Sequence, residues 1–513
     1  MASGTVGGQG EAAAIGGEDA QLGTIETDIP GRLDRLPWAR FHWLVILGLG
    51  TAWVLDGLEV NVVGSISSRI EEHGAGVGLA AGQVSGWGAS LYIAGACLGA
   101  IVFGQLTDRF GRKRLFMLTL TLYLAGTLLT AVSFAPGWFF AVRFITGMGI
   151  GGEYSAINSA IDELIPANHR GRVDISINGS YWLGGVGGTL LAIVMLNTSV
   201  FPRDLGWRLS FVLGAIIGLA VLLVRRSVPE SPRWLFIHGR EREAERIVRD
   251  IERRVEEDRG EPLPEPRADP LTVHQRRTIP ISTVIRSAVS MYPRRSALGL
   301  ALFVGQAFLY NSVIFGFGNL LTLYFHTPSG NIPYYIGVFA AGNFAGALLL
   351  SPLFDIVGRK PMIAGTYTLS GALLIGTGLL FKDHQLDATG FTACVCVAFF
   401  FASAGASAAY LTVSEIFPME TRALCIAVFY AIGTGIGGVI GPQVFSRLIN
   451  TGSYEQVFLA FGLGAVMMIV GGLAELAFGV NAERRSLESI AKPLTAAGPL
   501  SAVQVSPPVA SNV

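Results

Sequence analysis

About twelve stretches of this 513-residue chain stay apolar over roughly 20 residues, the length a helix needs to cross the hydrocarbon core of a bilayer. They fall at 42–66, 84–106, 115–134, 138–163, 175–197, 208–226, 297–325, 334–354, 362–381, 391–416, 423–446 and 456–479. In hydrocarbon every backbone polar group needs an internal partner, which only helices and closed barrels provide. The runs do not alternate with period two, so a barrel is excluded. Charged residues make up 14% of the chain, against about 25% in soluble domains. The expectation is an all-α polytopic membrane protein of about twelve transmembrane helices.

Lys plus Arg and Asp plus Glu balance at 37 each, so net charge points to no partner, and no nucleic acid is expected. Their distribution gives the orientation. With the N-terminus inside, the inner segments collect Arg32, Arg35 and Arg40; Arg109, Arg112, Lys113 and Arg114; Arg170 and Arg172; Arg359 and Lys360; and Arg484 and Arg485. The outer segments hold isolated cations such as Arg69, Arg203, Lys382 and Arg447. Cations accumulate on the cytoplasmic side of membrane proteins, so both termini are expected there, in the plasma (cell inner) membrane.

Residues 1–40 lack the apolar core of a signal peptide and read as a disordered cytoplasmic tail. The spans group into bundles at 41–226 and 296–480. A charged loop at 227–295 separates them, and a tail at 481–513 follows. Within the loop, Ala244, Ile247, Val248, Ile251 and Val255 recur at helical spacing, so an amphipathic helix is expected over 240–258, ended by the Pro-rich 262–270. Cys97, Cys394, Cys396 and Cys425 all lie in apolar runs and read as buried residues. No histidine spacing suits a metal and no nucleophile–base pair is visible, so neither cofactor, metal site nor enzyme is expected.

Two short stretches occur twice. GQLTDRFGRK (104–113) matches SPLFDIVGRK (351–360), and ELIPANHR (163–170) matches EIFPMETR (415–422). Each pair is offset by nearly half the chain, the mark of two related halves. Each member ends a helix on the inner face, where carboxylates and arginines can pair across a tight glycine turn. We therefore expect a gate of breakable ion pairs built from Asp108, Arg109, Gly111, Arg112, Glu163, Arg170, Asp355, Gly358, Arg359, Glu415 and Arg422, with Glu230 and Arg233 of PESPRWL (229–235).

At this point the chain resembles the major facilitator superfamily, in particular its sugar-porter and metabolite:proton-symporter branch. GQLTDRFGRKRL is similar to the signature between the second and third helices, and PESPRWL to the one after the sixth. RFITGMGIGGEYSAINSAIDELIPANHRGR (143–172) and SEIFPMETRA (414–423) are similar to the fourth- and tenth-helix signatures, and DGLE (56–59) to the first-helix acidic motif. The resemblance implies two pseudo-symmetric six-helix bundles rocking about a central site. Several hexose-binding positions differ: Gly179 replaces the usual fifth-helix Gln, GQAFLYN (305–311) keeps only Gln306 and Asn311, and Tyr410 aligns with the family Trp. A small organic acid or related metabolite is therefore favoured over a sugar. GSYWLGGVGG (179–188) lacks the proline of the exporter signature.

Asp56 and Glu59 stand at i and i+3 on the first span and are expected to face one space. Two carboxylates in low dielectric cannot both ionise cheaply, which makes a proton-binding site of ordinary side chains. Arg143 is the expected partner; in resembling proton-coupled porters the second acidic position pairs with this arginine. Glu153 is a further candidate for proton coupling. Glu475 is expected to snorkel from the end of the last span or to find a structural partner. Candidate substrate contacts are Tyr181, Gln306, Asn311, Asn343 and Tyr410; each serves equally as a satisfied interhelical polar group. Glycine runs 147–152 and 433–438 read as close helix packing.

The sequence thus reads as a secondary active transporter, a proton-coupled symporter of a small organic metabolite such as an organic or aromatic acid, working by alternating access. Its partners are that substrate, protons and the lipid bilayer, and it is expected to function as a monomer. Alternatives are a sugar or polyol porter, a proton-coupled exporter, and a non-transporting membrane sensor.

Overall fold

The structure, a computed structural model, describes residues 21–71, 74–80, 83–226, 229–265, 271–276, 281–328, 331–418 and 421–491. The end of the Pro-rich stretch, 266–270, and most of the C-terminal tail, 492–513, lie outside these residues. Twelve long helices are numbered here. In the first half they are α1 Arg40–Ile70, α2 Ala89–Phe110, α3 Arg112–Ala131, α4 Pro136–Leu164, α5 Arg170–Met195 and α6 Gly206–Arg225. In the second half they are α7 Pro293–Phe325, α8 Ile332–Ile356, α9 Arg359–Lys382, α10 Ala388–Ile416, α11 Arg422–Ile449 and α12 Tyr454–Phe478. Among the described residues, ten helices are long and apolar enough to cross a membrane by length and composition alone. The two outside that group, α4 and α5, carry buried charges and amides including Arg143, Glu153, Glu163 and Asn178.

The repeat seen in sequence has a conformational counterpart. Gly111 joins α2 to α3 at φ 95°, and Gly358 joins α8 to α9 at φ 112°. This backbone region is readily open to glycine alone, so each tight turn needs its Gly. The halves meet along α5 against α8 and α2 against α11. At Gly179 a side-chain carbon would lie 2.2 Å from the Ala347 methyl carbon, so α5 and α8 cross there in near contact. The Gly179 substitution is thus explained by helix packing. Within α11, a π-helical segment at Gly435–Ile440 adjoins α7 and α2.

The loop between halves forms the expected amphipathic helix, Glu241–Arg259, with Ala244, Val248, Ile251 and Val255 buried and Gly260 closing it at φ 70°. The expectation of a disordered tail over 1–40 does not hold beyond residue 20. Gln21–Thr27 pairs antiparallel with Leu271–Arg276, and Ile29–Asp34 is a short helix whose Ile29 and Leu33 are buried. Charge explains the docking. Arg32 binds Glu245 at 2.8 Å and Glu252 at 2.5 Å, and Arg35 binds Glu252 at 2.5 Å. Residues 1–20 lie outside the described residues.

Glu475 departs from its expected snorkelling position. It is 1% exposed in α12, and neither carboxylate oxygen has a hydrogen-bond partner among the described residues.

Candidate functional site

Small residues set the spacing of the central helices. A side-chain carbon at Gly95 or Gly99 of α2 would lie 2.1 Å from the carbonyl oxygen of Phe144 or Met148 in α4. In return, carbons at Gly147 and Gly151 would meet the carbonyls of Tyr92 and Ala96 at 2.0 and 1.9 Å. Gly57 of α1 and Gly184 of α5 are pressed against Tyr181 and Val54 in the same way. The backbones of α2 and α4 therefore touch, which is the expected role of run 147–152. The contact carries Tyr92 to within reach of Arg143, one turn before Gly147.

Glu59 and Arg143 form a buried ion pair, each 3% exposed, and Glu59 also accepts a hydrogen bond from the Thr127 hydroxyl at 2.9 Å. The Arg143 guanidinium lies 4.3 Å from the centre of the Tyr92 ring. Asp56 does not share this space. It accepts hydrogen bonds from the Tyr92 hydroxyl at 2.9 Å and from the Tyr154 hydroxyl, and it faces a central cavity. Glu59 faces instead a small void lined by α3 and α6 residues, among them Thr127 and Phe211. The i, i+3 spacing explains the split. Three residues advance a helix by about 300°, leaving about 60° between the side chains, and Tyr92 holds Asp56 through its hydroxyl while its ring packs on the arginine that holds Glu59.

The cavity is about 160 Å³, and Asp56 is the only charged side chain among the described residues that line it. Of the expected substrate contacts, Tyr181, Gln306, Asn311 and Tyr410 line it. Asn343 does not reach it; it is fully buried, accepting from the Tyr310 hydroxyl at 3.0 Å, and so orients a tyrosine that does line the cavity. Glu153 is fully buried in α4 and is not part of the lining. Sequence reasoning missed most of the wall. Trp53 stacks on Tyr154 with ring centres 4.5 Å apart, and Tyr430 meets Tyr154 at 5.1 Å. Trp182 lies 5.6 Å from Tyr310 on the other side. The Trp53 indole N–H and the Asn178 side-chain oxygen, both buried at the cavity, have no hydrogen-bond partner among the described residues.

On the charged face the repeat builds matching pairs. Arg112 binds Glu163 at 2.6 Å in the first half, and Arg359 binds Glu415 at 3.0 Å in the second. Arg359 also holds Asp355 at 2.6 Å. Two of the contacts join the halves: Arg422 reaches Glu163 at 3.8 Å, and Asp355 accepts the backbone N–H of Gly171 and Arg172 at 3.2 and 2.8 Å. Arg233 of the middle loop reaches Glu488 of the C-terminal segment at 3.2 Å. Asp355 thus caps the N-terminus of α5, where the helix dipole favours an anion. Glu230 does the same for α3, accepting from the backbone of Arg112 at 2.9 Å and Lys113 at 3.2 Å. Asp34, from the docked tail, lies 3.4 Å from both Arg170 and Arg233, so the tail belongs to this cluster, which the sequence did not suggest. Arg109 is exposed against the Phe110 ring and has no ion pair among the described residues. The side chain of Asp108 lies outside the described residues.

The family described as "Sugar (and other) transporter" matches over residues 44–492. The niacin transporter NiaP of Acinetobacter baylyi is 29% identical over 90% of this chain and 99% of its own. A probable 4-methylmuconolactone transporter of Cupriavidus pinatubonensis is 25% identical over 85% of this chain and 87% of its own. Among solved structures, the proton:xylose symporter XylE bound to 6-bromo-6-deoxy-D-glucose superposes with TM-score 0.70 at 18% identity, covering 88% of this chain and 98% of that one.

Proposed function

Because this chain belongs to the sugar (and other) transporter family of the major facilitator superfamily, and so is a multi-pass membrane transporter rather than an enzyme, we propose that it is a proton-coupled symporter of a small planar organic acid. One observation carries the reading: the central cavity is walled by aromatic rings, and among the described residues its lining holds a single carboxylate, Asp56, and no cation. Flat rings stack on such walls. An anion beside ionised Asp56 meets about 4 kcal/mol of repulsion at 4 Å and an effective dielectric of 20, roughly a thousandfold in affinity. A proton on Asp56 removes that repulsion, so acid and proton occupy the cavity together. Niacin, which names one relative, is a pyridine carboxylate and fits this description.

Alternating access then uses the two faces of the molecule. The charged face is cytoplasmic, with both termini there, by the bias of its arginines. Opening that face breaks the contacts of Arg422 and Asp355 across the halves and the tie of Arg233 to the C-terminal segment, while α5–α8 and α2–α11 serve as the rocking surfaces. The monomer contains the whole pathway, and the plasma membrane supplies the gradient.

Uptake into proteoliposomes tests the proposal, using labelled ring acids beginning with nicotinate. Acid outside is expected to drive accumulation, and a protonophore to abolish it. Asp56→Asn is expected to exchange substrate without accumulating it. Accumulation by Asp56→Asn as strong as the parent's overturns the reading.

A further inference from the structure

Among the described residues, Tyr92 is the one side chain that touches both acidic sites of α1. Its hydroxyl donates to Asp56 at 2.9 Å, and its ring carries the Arg143 guanidinium at 4.3 Å. Arg143 in turn holds Glu59. The residue is 7% exposed, and its carbonyl is pressed against Gly147. With α2 and α4 in backbone contact, Tyr92 and Arg143 ride on one rigid pair of helices. Both carboxylates ride on α1. The interface between these units is therefore tied at two points, and Tyr92 takes part in both.

We propose that Tyr92 is the positioning residue that links occupancy of Asp56 by a proton to the strength of the Glu59–Arg143 ion pair. This rests on the proton-coupled reading above. A hydrogen bond to an ionised carboxylate is roughly twice as strong as one to a neutral group. With Asp56 ionised, that bond fixes the Tyr92 ring flat against Arg143 and keeps the guanidinium aimed at Glu59. With Asp56 neutral, the bond loses roughly half its strength, and the ring is freer to turn about its side-chain torsions while the helix backbones stay in contact. Arg143 then loses one wall of its site, and α1 is freed to shift against α2 and α4. The proton signal passes from the cavity to an ion pair outside it without proton transfer between the carboxylates.

The groups facing Asp56 are few. On its own helix there is Glu59; α2 and α4 bring Tyr92, Arg143, Glu153 and Tyr154. Across the cavity stand Tyr181 of α5, Tyr410 of α10 and Tyr430 of α11. Tyr123 of α3 approaches from the Glu59 side. Among the described residues, only Tyr92 combines a hydrogen bond to Asp56 with contact to the arginine.

Hydrogen–deuterium exchange of the full chain in lipid nanodiscs tests the link without any substrate, at mildly acidic and mildly alkaline pH and normalised to intrinsic rates. In the parent, residues 136–147 around Arg143 are expected to exchange faster in acid, and Asp56→Asn to show the acid behaviour at both pH values. Tyr92→Phe keeps the ring and loses the hydroxyl; its acid response is expected to shrink by at least about fivefold, the lower end of ordinary coupling between sites. Tyr154→Phe removes the other hydroxyl on Asp56 but no ring from Arg143, and is expected to keep the response. Tyr92→Phe responding as the parent does overturns the link alone. A parent with no acid response overturns the proton-coupled reading and the link with it.

Discussion

The guanidinium of Arg422, in the second half, lies 3.8 Å from the carboxylate of Glu163, in the first. The same carboxylate binds Arg112 at 2.6 Å and accepts from the Ser231 hydroxyl. Glu163 is 1% exposed, so its charge is shared by two arginines with little help from water. Removing one partner of a buried pair costs about 3–5 kcal/mol, because the remaining charge is stranded. Glu163→Gln is expected to lower the unfolding midpoint and speed hydrogen exchange over both 159–172 and 414–425. Glu415→Gln is expected to do less, since Arg359 keeps Asp355 at 2.6 Å and the Phe354 carbonyl at 2.8 Å. A reversed order of the two variants in thermal unfolding refutes this asymmetry.

The paired glycine turns separate backbone strain from crowding. Alanine at either position pays the cost of an extended positive-φ backbone that glycine alone adopts readily, about 1–3 kcal/mol. At Gly111 a side-chain carbon also lies 2.5 Å from the Glu230 carboxylate oxygen, which caps α3. At Gly358 the nearest atom, in Glu483, is 3.4 Å away, an ordinary contact. Gly111→Ala is therefore expected to destabilise more than Gly358→Ala, measured as the difference in thermal unfolding midpoint in one detergent. Equal losses leave the Glu230 cap without the weight given to it.

Physical cost explains which parts were legible in sequence. A charge in a membrane span is expensive, so Glu59 and Arg143 stood out, and the structure pairs them. A repeated Gly beside Arg marked both tight turns before any φ angle was seen. Tyrosine carries no such penalty. Tyr92 and Tyr154, 36 and 98 residues from Asp56 along the chain, look like any packed aromatic until the helices assemble. The separation of Asp56 from Glu59 was hidden for the same reason, since i, i+3 spacing names a face but not what packs against it. The tail was misread because Arg32 and Arg35 read only as topology-setting cations, their carboxylate partners lying more than 200 residues away.

Those tail contacts make a pH-sensitive dock. Burial opposes ionisation of Glu252, but hydrogen bonds from Arg32 and Arg35 outweigh it and hold the carboxyl below its ordinary value. Glu245 behaves alike, with Arg249 and Arg32 overcoming burial. A carboxyl held low in the folded state adds stability that is complete above its unfolded value, 4.5 here. That stability is lost as pH falls through the lowered one. Docking of Ile29–Asp34 is expected to be unchanged from neutral pH down to that value and to weaken below it. Arg32→Ala is expected to release the segment already at neutral pH and to flatten the acid transition, read as hydrogen exchange of residues 29–34. An acid transition of undiminished size in Arg32→Ala rules out these pairs as its source.

Glu475 offers the opposite case, a carboxyl that the fold does not reward. It sits in α12 at 1% exposure with both oxygens lacking a hydrogen-bond partner among the described residues, and Gly479 follows so closely that a side-chain carbon there would lie 2.4 Å from it. Lys360, at the start of α9, supplies a favourable field, but a field does not replace a hydrogen bond. Leaving a buried polar group unsatisfied costs about 1–3 kcal/mol, and an apolar residue of similar shape removes that cost. Glu475→Leu is therefore expected to raise the unfolding midpoint by a few degrees, with Glu475→Gln close to the parent because the amide inherits the same lack of partners. Transport by Glu475→Leu should match the parent's, since the residue does not line the cavity. A folded Glu475→Leu that no longer transports would show that this carboxyl is kept for function and that its burial belongs to one state of the cycle.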